Sequence, residues 1–172
     1  MATVIQPTYG TYTAMTVTNL QSLASDSTDV YAGWQGARVD NFTTVKADDY
    51  HIIIDLSTAA TAPAGASAAY VYIVPWSVAA DGTTWTPGGN FGTTTAPAGT
   101  EGTANISEPN SMRGPIWLPY KITSQRLQKS FLLSELIAAM PGGWSPVIRN
   151  ETGAALGTGC VVAYRPITYT AT

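Results

Sequence analysis

Any chemistry in this 172-residue chain would have to start from few groups: one histidine, one cysteine and eleven carboxylates. His51 and Asp55 fall on the same face of a strand and are the one pair that could act as a base and its orienter. A histidine simply carried on a partly buried strand gives the same pattern. Cys160 sits in the apolar run Cys160-Val161-Val162-Ala163, which suits a buried, unreactive thiol. There is no HExxH, CxxC or GxSxG sequence, so zinc and a nucleophile elbow have no support. Asp48-Asp49 and the polar run 25–29 are the candidate calcium loops, and neither has EF-hand spacing. A carboxylate pair for glycoside hydrolysis would have to come from acids that lie mostly in turns. The glycines stand in β-turn contexts rather than before a helix, so no phosphate cradle is expected. The chain reads as a non-enzyme with no cofactor and no metal. Its five tryptophans and nine tyrosines are a different matter. They could form a platform for a sugar, or, spaced by two along strands, serve as core or subunit interface.

The elements that carry these residues are strands. Ala68-Ala69-Tyr70-Val71-Tyr72-Ile73-Val74-Pro75-Trp76 alternates with apolar or aromatic groups on both faces, which predicts a central strand covered on both sides. Pro75 cannot donate to a ladder, so regular pairing is expected to end near it. Residues 50–56 form a second strand with Ile52, Ile54 and Leu56 on one face. Asp81-Gly82 signals a tight turn before a short strand at 83–86. The low-complexity stretch 87–102 reads as a long surface loop, and Ile106 and 116–122 resume the β pattern, with Pro119 marking an edge strand. A further strand is expected at 126–132. Leu133, Leu136, Ile137 and Met140 make the only helical stripe, a short helix near 133–140 closed by Pro141-Gly142-Gly143. Strands at 144–149 and 161–167 follow, separated by a turn at 150–153. Gly33 and Gly36 flank Trp34 and let the backbone there approach other chain closely. Residues 1–14 read as an N-terminal extended arm or an edge strand, and 15–172 as a single domain. Short strands, regular turns and no internal repeat point to an all-β fold: an antiparallel, jelly-roll-like β-sandwich.

Composition narrows the partners. Charged residues are 11% of the chain against 45% hydrophobic, less than half the roughly 25% charge of ordinary soluble domains. A surface so poor in charge is tolerable when much of it is buried against other subunits. Net charge is −3 with no basic cluster, which argues against nucleic acid as a partner. No run of about 18 apolar residues suggests a membrane span, and the first residues lack the pattern of a Sec signal. Asn-x-Ser/Thr triplets at Asn41, Asn105 and Asn150 would matter only in a secretory pathway.

Three short motifs early in the chain, Ser22-Leu23-Ala24, Gly33-Trp34-Gln35 and Val39-Asp40-Asn41, precede the strands at 50–56 and 68–76. With the stretch 140–156 and the closing 161–169, they resemble a broad group of tailed-phage virion proteins over nearly the whole chain. The resemblance implies a jelly-roll-like sandwich acting as a capsid decoration, or cement, protein. Such a protein is made in the host cytoplasm, sits on the capsid surface of the virion as a homotrimer and bridges subunits of the major capsid protein. It brings no catalytic residues to carry over. On this reading Tyr9, Tyr12 and Trp34 are the expected subunit or capsid contacts. A glycan-binding host-adhesion module of a head fibre or tail is the alternative.

Overall fold

The computed structural model describes residues 4–25, 32–44, 46–59, 67–88, 98–105, 113–120 and 123–171. The loop expected at 26–29, Ile106, Ile122 and residues 89–97 of the low-complexity stretch lie outside the described residues. Among the described residues the alternation of the sequence becomes twelve strands: β1 (Ile5–Tyr9), β2 (Thr13–Ala14), β3 (Ala32–Gln35), β4 (Val39–Asp40), β5 (Asp49–Ser57), β6 (Ser67–Val78), β7 (Trp85–Pro87), β8 (Gly102–Asn105), β9 (Arg113–Tyr120), β10 (Arg126–Leu132), β11 (Gly143–Glu151) and β12 (Val161–Ala171). They form two antiparallel sheets. The first has the order β1-β12-β5-β10, with β2 also on β12. The second has the order β7-β6-β11-β3-β8, with β9 also on β6 and β4 on β11. With β1–β2 and β3–β4 each taken as one interrupted strand, the chain changes sheet at each principal step except β6 to β9. This is jelly-roll-like connectivity in a β-sandwich.

Period-two patterning decides what faces inward. Ile52, Ile54 and Leu56 of β5, Val71 and Ile73 of β6, Ile148 of β11 and Val162 of β12 meet between the sheets, together with Trp34 and Trp144. Each such side chain, fully buried, contributes about 1.5–3 kcal/mol. β6 is covered on its other face too. Tyr72, Val74 and Trp76 are buried there with Val147 in a second cluster, as the two-faced pattern predicts. Arg38 lies over that outer face with its guanidinium 4.1 Å from the Trp85 ring centre and 5.3 Å from that of Trp76. Gly36 has the close approach expected of it: a Cβ there would stand 2.9 Å from both the Trp34 ring and the Pro146 side chain.

Buried polar groups hold the loops to this frame. Asn150, fully buried, donates to the carbonyls of Leu23 and Ala154 and accepts from the Thr152 amide and hydroxyl. The Ser22-Leu23-Ala24 segment is thus tied to the β11 turn by an asparagine that has no surface to offer a glycan.

Two expectations need correction. Pairing does not end at Pro75: it continues through Trp76 on β11 and Val78 on β7. The Pro75 carbonyl accepts from the Gly88 amide at 2.7 Å. An amide and carbonyl of one strand residue point the same way, so the missing donor faces the place where β7 has already ended. The helix expected at 133–140 is a single 3-10 turn, Leu133–Glu135. The amides of Leu136 and Ile137 both reach the Leu133 carbonyl, while the Asp49 carboxylate takes the Ser134 amide and hydroxyl. Leu133 and Ile137 are buried in the core, so tertiary contact uses the stripe without the costly nucleation of an isolated helix.

Candidate subunit interface

β1 and the end of β12 leave the sandwich together. β12 pairs with β5 only as far as Ile167 opposite Asp49. There Asp48 closes the sheet, its amide bonding the Ile167 carbonyl and its carboxylate accepting the Tyr169 amide at 2.7 Å. Residues 167–171 continue with β1 alone, Ile5 opposite Ala171 and Tyr9 opposite Ile167. Directly opposed residues share a face. One face of this two-stranded ribbon is therefore Ile5, Pro7, Tyr9, Ile167, Tyr169 and Ala171, and the other is Gln6, Thr8, Thr168 and Thr170. Ile167, at the base of this face, is buried at 1%, but beyond it the face is uncovered: Ile5 is 67% exposed, Tyr9 51% and Tyr169 44%. A lone two-stranded ribbon is marginal in water, and exposed apolar groups gathered on one face make this the candidate interaction surface.

The edge of the ribbon is guarded. The Gly10 amide donates to the Pro166 carbonyl at 2.9 Å, so alternation assigns the hydrogen-bonded pairs to Thr8–Thr168 and Gln6–Thr170. The backbones of Ile5, Pro7 and Tyr9 then face the open edge, and Pro7 has no donor to place there. Proline on an edge discourages strand addition, so the apolar face, rather than the edge, is the candidate contact surface.

A β-bulge fixes the base of the ribbon. Gly10 lies opposite Pro166, while β2 resumes with Thr13 opposite Tyr164. Thr11 and Tyr12 are left facing the single residue Arg165, the two-against-one count of a bulge. Tyr9 and Tyr12, three apart, would point to opposite faces of a regular strand. The extra residue brings both onto Arg165, whose guanidinium lies 4.4 Å from the Tyr9 ring centre and 4.7 Å from that of Tyr12. Each such contact is worth about 0.5–1 kcal/mol at an exposed site. The Tyr12 hydroxyl also bonds His51 Nδ1 at 2.6 Å, and His51 stands opposite Arg165 in the ladder. Gly10 permits the entry to the bulge: a Cβ there would sit 2.7 Å from Pro166 Cγ.

Of the residues expected at an interface, Tyr9 and Tyr12 are brought together on this surface. Trp34 is not. It is fully buried between the sheets with its indole N–H donating to Glu101 at 2.8 Å, and in the folded chain it has no surface to offer a partner. Ile5, Tyr169, His51 and Arg165 belong to the site and were not singled out as contacts from the sequence. Ile5-Gln6-Pro7-Thr8-Tyr9 does alternate apolar with polar, but its pairing with residues 167–171 has no local signal.

The catalytic candidates are occupied elsewhere. Asp55 takes a bidentate ion pair from Arg126 at 2.8 Å and His51 is held by Tyr12, so the two do not form a dyad. Each described carboxylate has a structural partner: Asp40 and Asp81 accept from the backbone of their own turns, and Asp48 and Asp49 cap β12 and the 3-10 turn. Glu101 accepts from Asn19, Glu135 from the Leu132 amide, and Glu151 pairs with Arg149. Among the described residues no three His, Cys, Asp or Glu side chains are grouped to hold a metal ion, and no helix is long and apolar enough to cross a membrane. Cys160 is buried. Comparison with family models, with curated proteins and with solved structures finds no match to the chain.

Proposed function

We propose that this chain is a structural subunit of a tailed-phage virion, a capsid decoration protein that binds the outer head surface and stabilises the junctions between capsomers. The observation that carries an assembly role is the uncovered apolar face of the β1–β12 ribbon. The scarcity of charge and the motif resemblance supply the virion setting. Binding works by area: the ribbon's Ile5, Tyr9 and Tyr169 enter an apolar contact on a neighbouring subunit, either another copy in a homotrimer or the major capsid protein. A trimer multiplies the contacts to the shell and raises affinity without any new kind of bond.

The test compares the wild-type chain with the double variant Ile5→Asp, Tyr169→Asp. Analytical ultracentrifugation reads self-association, and co-sedimentation with empty heads of the same phage reads decoration. The expected result is a wild-type trimer that pellets with heads in near-stoichiometric ratio to the major capsid protein. The variant keeps the same circular dichroism, sediments as a monomer and stays in the supernatant. A wild-type chain that is monomeric and unbound to heads overturns the proposal.

A further inference from the structure

We propose, taking the ribbon face as a contact surface, that Arg165 is the docking point for an acidic side chain of a different protein, presented among apolar residues. Arg165 stands two residues before Ile167 and four before Tyr169 on β12, so period two puts it on their face, at the base of the ribbon. Its guanidinium lies 4.4 Å from the ring centre of Tyr9 and 4.7 Å from that of Tyr12, and Tyr12 is itself fixed by His51. Arg165 Nε is buried and has no hydrogen-bond partner. The two terminal nitrogens are not enclosed in that way, and among the described residues no carboxylate or carbonyl takes them. Other arginines make the ion pairs of the fold, Arg126 with Asp55 and Arg149 with Glu151. Asp49, opposite Ile167 in the ladder, gives its carboxylate to Ser134.

A guanidinium so placed is oriented in advance. Two rings restrict it, so little side-chain freedom is lost when an acceptor meets it, and tyrosine and arginine are residues in which interface hot spots are rich. The acceptor that matches two parallel N–H donors is a carboxylate. The exposed rings of Tyr9 and Tyr169 on the same face favour a carboxylate carried among apolar side chains. A polyanion fits poorly. The chain has net charge −3, His51 is bonded through Nδ1 to Tyr12, and nucleic acid needs clustered cations. A second copy has little to offer, because every described carboxylate is already bonded within its own fold. The partner is therefore a different protein. In the virion setting it is the major capsid protein, and Ile5 and Tyr169 remain for contacts between copies.

The experiment titrates the full chain with the peptide acetyl-Leu-Glu-Leu-amide, beside its Leu-Gln-Leu counterpart and inorganic phosphate. Heteronuclear NMR reads the Arg165 side-chain N–H signal, assigned by its absence in Arg165→Met, and the ring signals of Tyr9 and Tyr12. The Glu peptide gives a saturable shift, and the Gln peptide binds about tenfold more weakly or worse. Raising sodium chloride from about 0.05 to 0.5 M weakens the Glu peptide. Arg165→Lys keeps the charge without the planar fork and binds it several-fold more weakly; Arg165→Met does not bind it. No saturable response to the Glu peptide overturns the assignment, as does an equal response to the Gln peptide, a preference for phosphate, or binding that survives in Arg165→Met. Should Arg165→Met fail to fold, the comparison of Glu with Gln on the wild-type chain decides. Co-sedimentation with heads is read separately. Peptide binding without decoration removes the virion setting and keeps the docking point, and decoration without a preference for Glu does the reverse.

Discussion

Single residues in this protein act mostly as fasteners, and the aspartates show how. Asp81 accepts from the Thr84 hydroxyl and from the amides of Thr84 and Thr83 in the hairpin turn between β6 and β7. The Thr84 hydroxyl, followed by the two amides, holds its carboxyl down at about 2. The unfolded value is about 3.9, so the folded form binds the proton more weakly. The stabilisation is fully present above about pH 4 and is lost as pH falls towards 2. Denaturation midpoints of wild type and Asp81→Asn should therefore differ most above pH 5 and converge by about pH 2; parallel curves across that range would refute the role. Asp40 behaves alike: burial alone would raise its pKa, but bonds from Thr43 and Phe42 outweigh it and lower the value. Much at this scale was legible. Asp81-Gly82 announced its turn, and Gly82 does take a positive φ of 71°. Trp34 was not legible as core, because period two says which residues share a face and not which face is inward.

At the scale of elements, the bulge at Thr11–Tyr12 does the most. It carries the chain from the projecting ribbon into β2 and stacks Tyr9 and Tyr12 on one guanidinium. Gly10→Ala places a methyl within 2.7 Å of the Pro166 ring, and overpacking of this kind costs about 1–3 kcal/mol. The loss should be local. Hydrogen exchange is expected to rise at residues 167–171 while amides of β5 and β6 keep their protection, and uniform loss across both sheets would contradict this assignment. The pairing of the first strand with the last joins segments at opposite ends of the sequence, so no local pattern could reveal it. By contrast β6 was legible because burial on both sides leaves apolar groups at every position. The stripe at Leu133, Leu136, Ile137 and Met140 misled for a physical reason. A strand end, a 3-10 turn and an irregular segment lying on the core can present apolar groups at the same intervals as a helix.

For the molecule as a whole, the sparse charge sets how association responds to solution conditions. With 11% charged residues and a ribbon face that is apolar and aromatic, the proposed self-association would have little Coulombic content to screen. Raising sodium chloride from about 0.05 to 0.5 M, a change that shortens the Debye length several-fold, should move the association constant by less than about twofold. Sodium sulfate should strengthen it by favouring burial. Sedimentation equilibrium across both salts reads this directly; a tenfold weakening in chloride would assign the contact to ion pairs instead. The sandwich itself followed from turn spacing and composition. Which strands meet did not, because jelly-roll neighbours are set by long-range packing of faces that look alike in sequence.

The meeting of Ile5 with Ala171 has a practical consequence for anyone who would use this fold as a display scaffold. Tags or cargo attached next to Ile5 or next to Ala171 would crowd the same tip, beside the proposed contact surface. A permuted chain could link Ile5 to Ala171 with a few residues and open at Asp81–Gly82, an exposed turn in the second sheet. Cargo placed at that new opening would leave the ribbon clear.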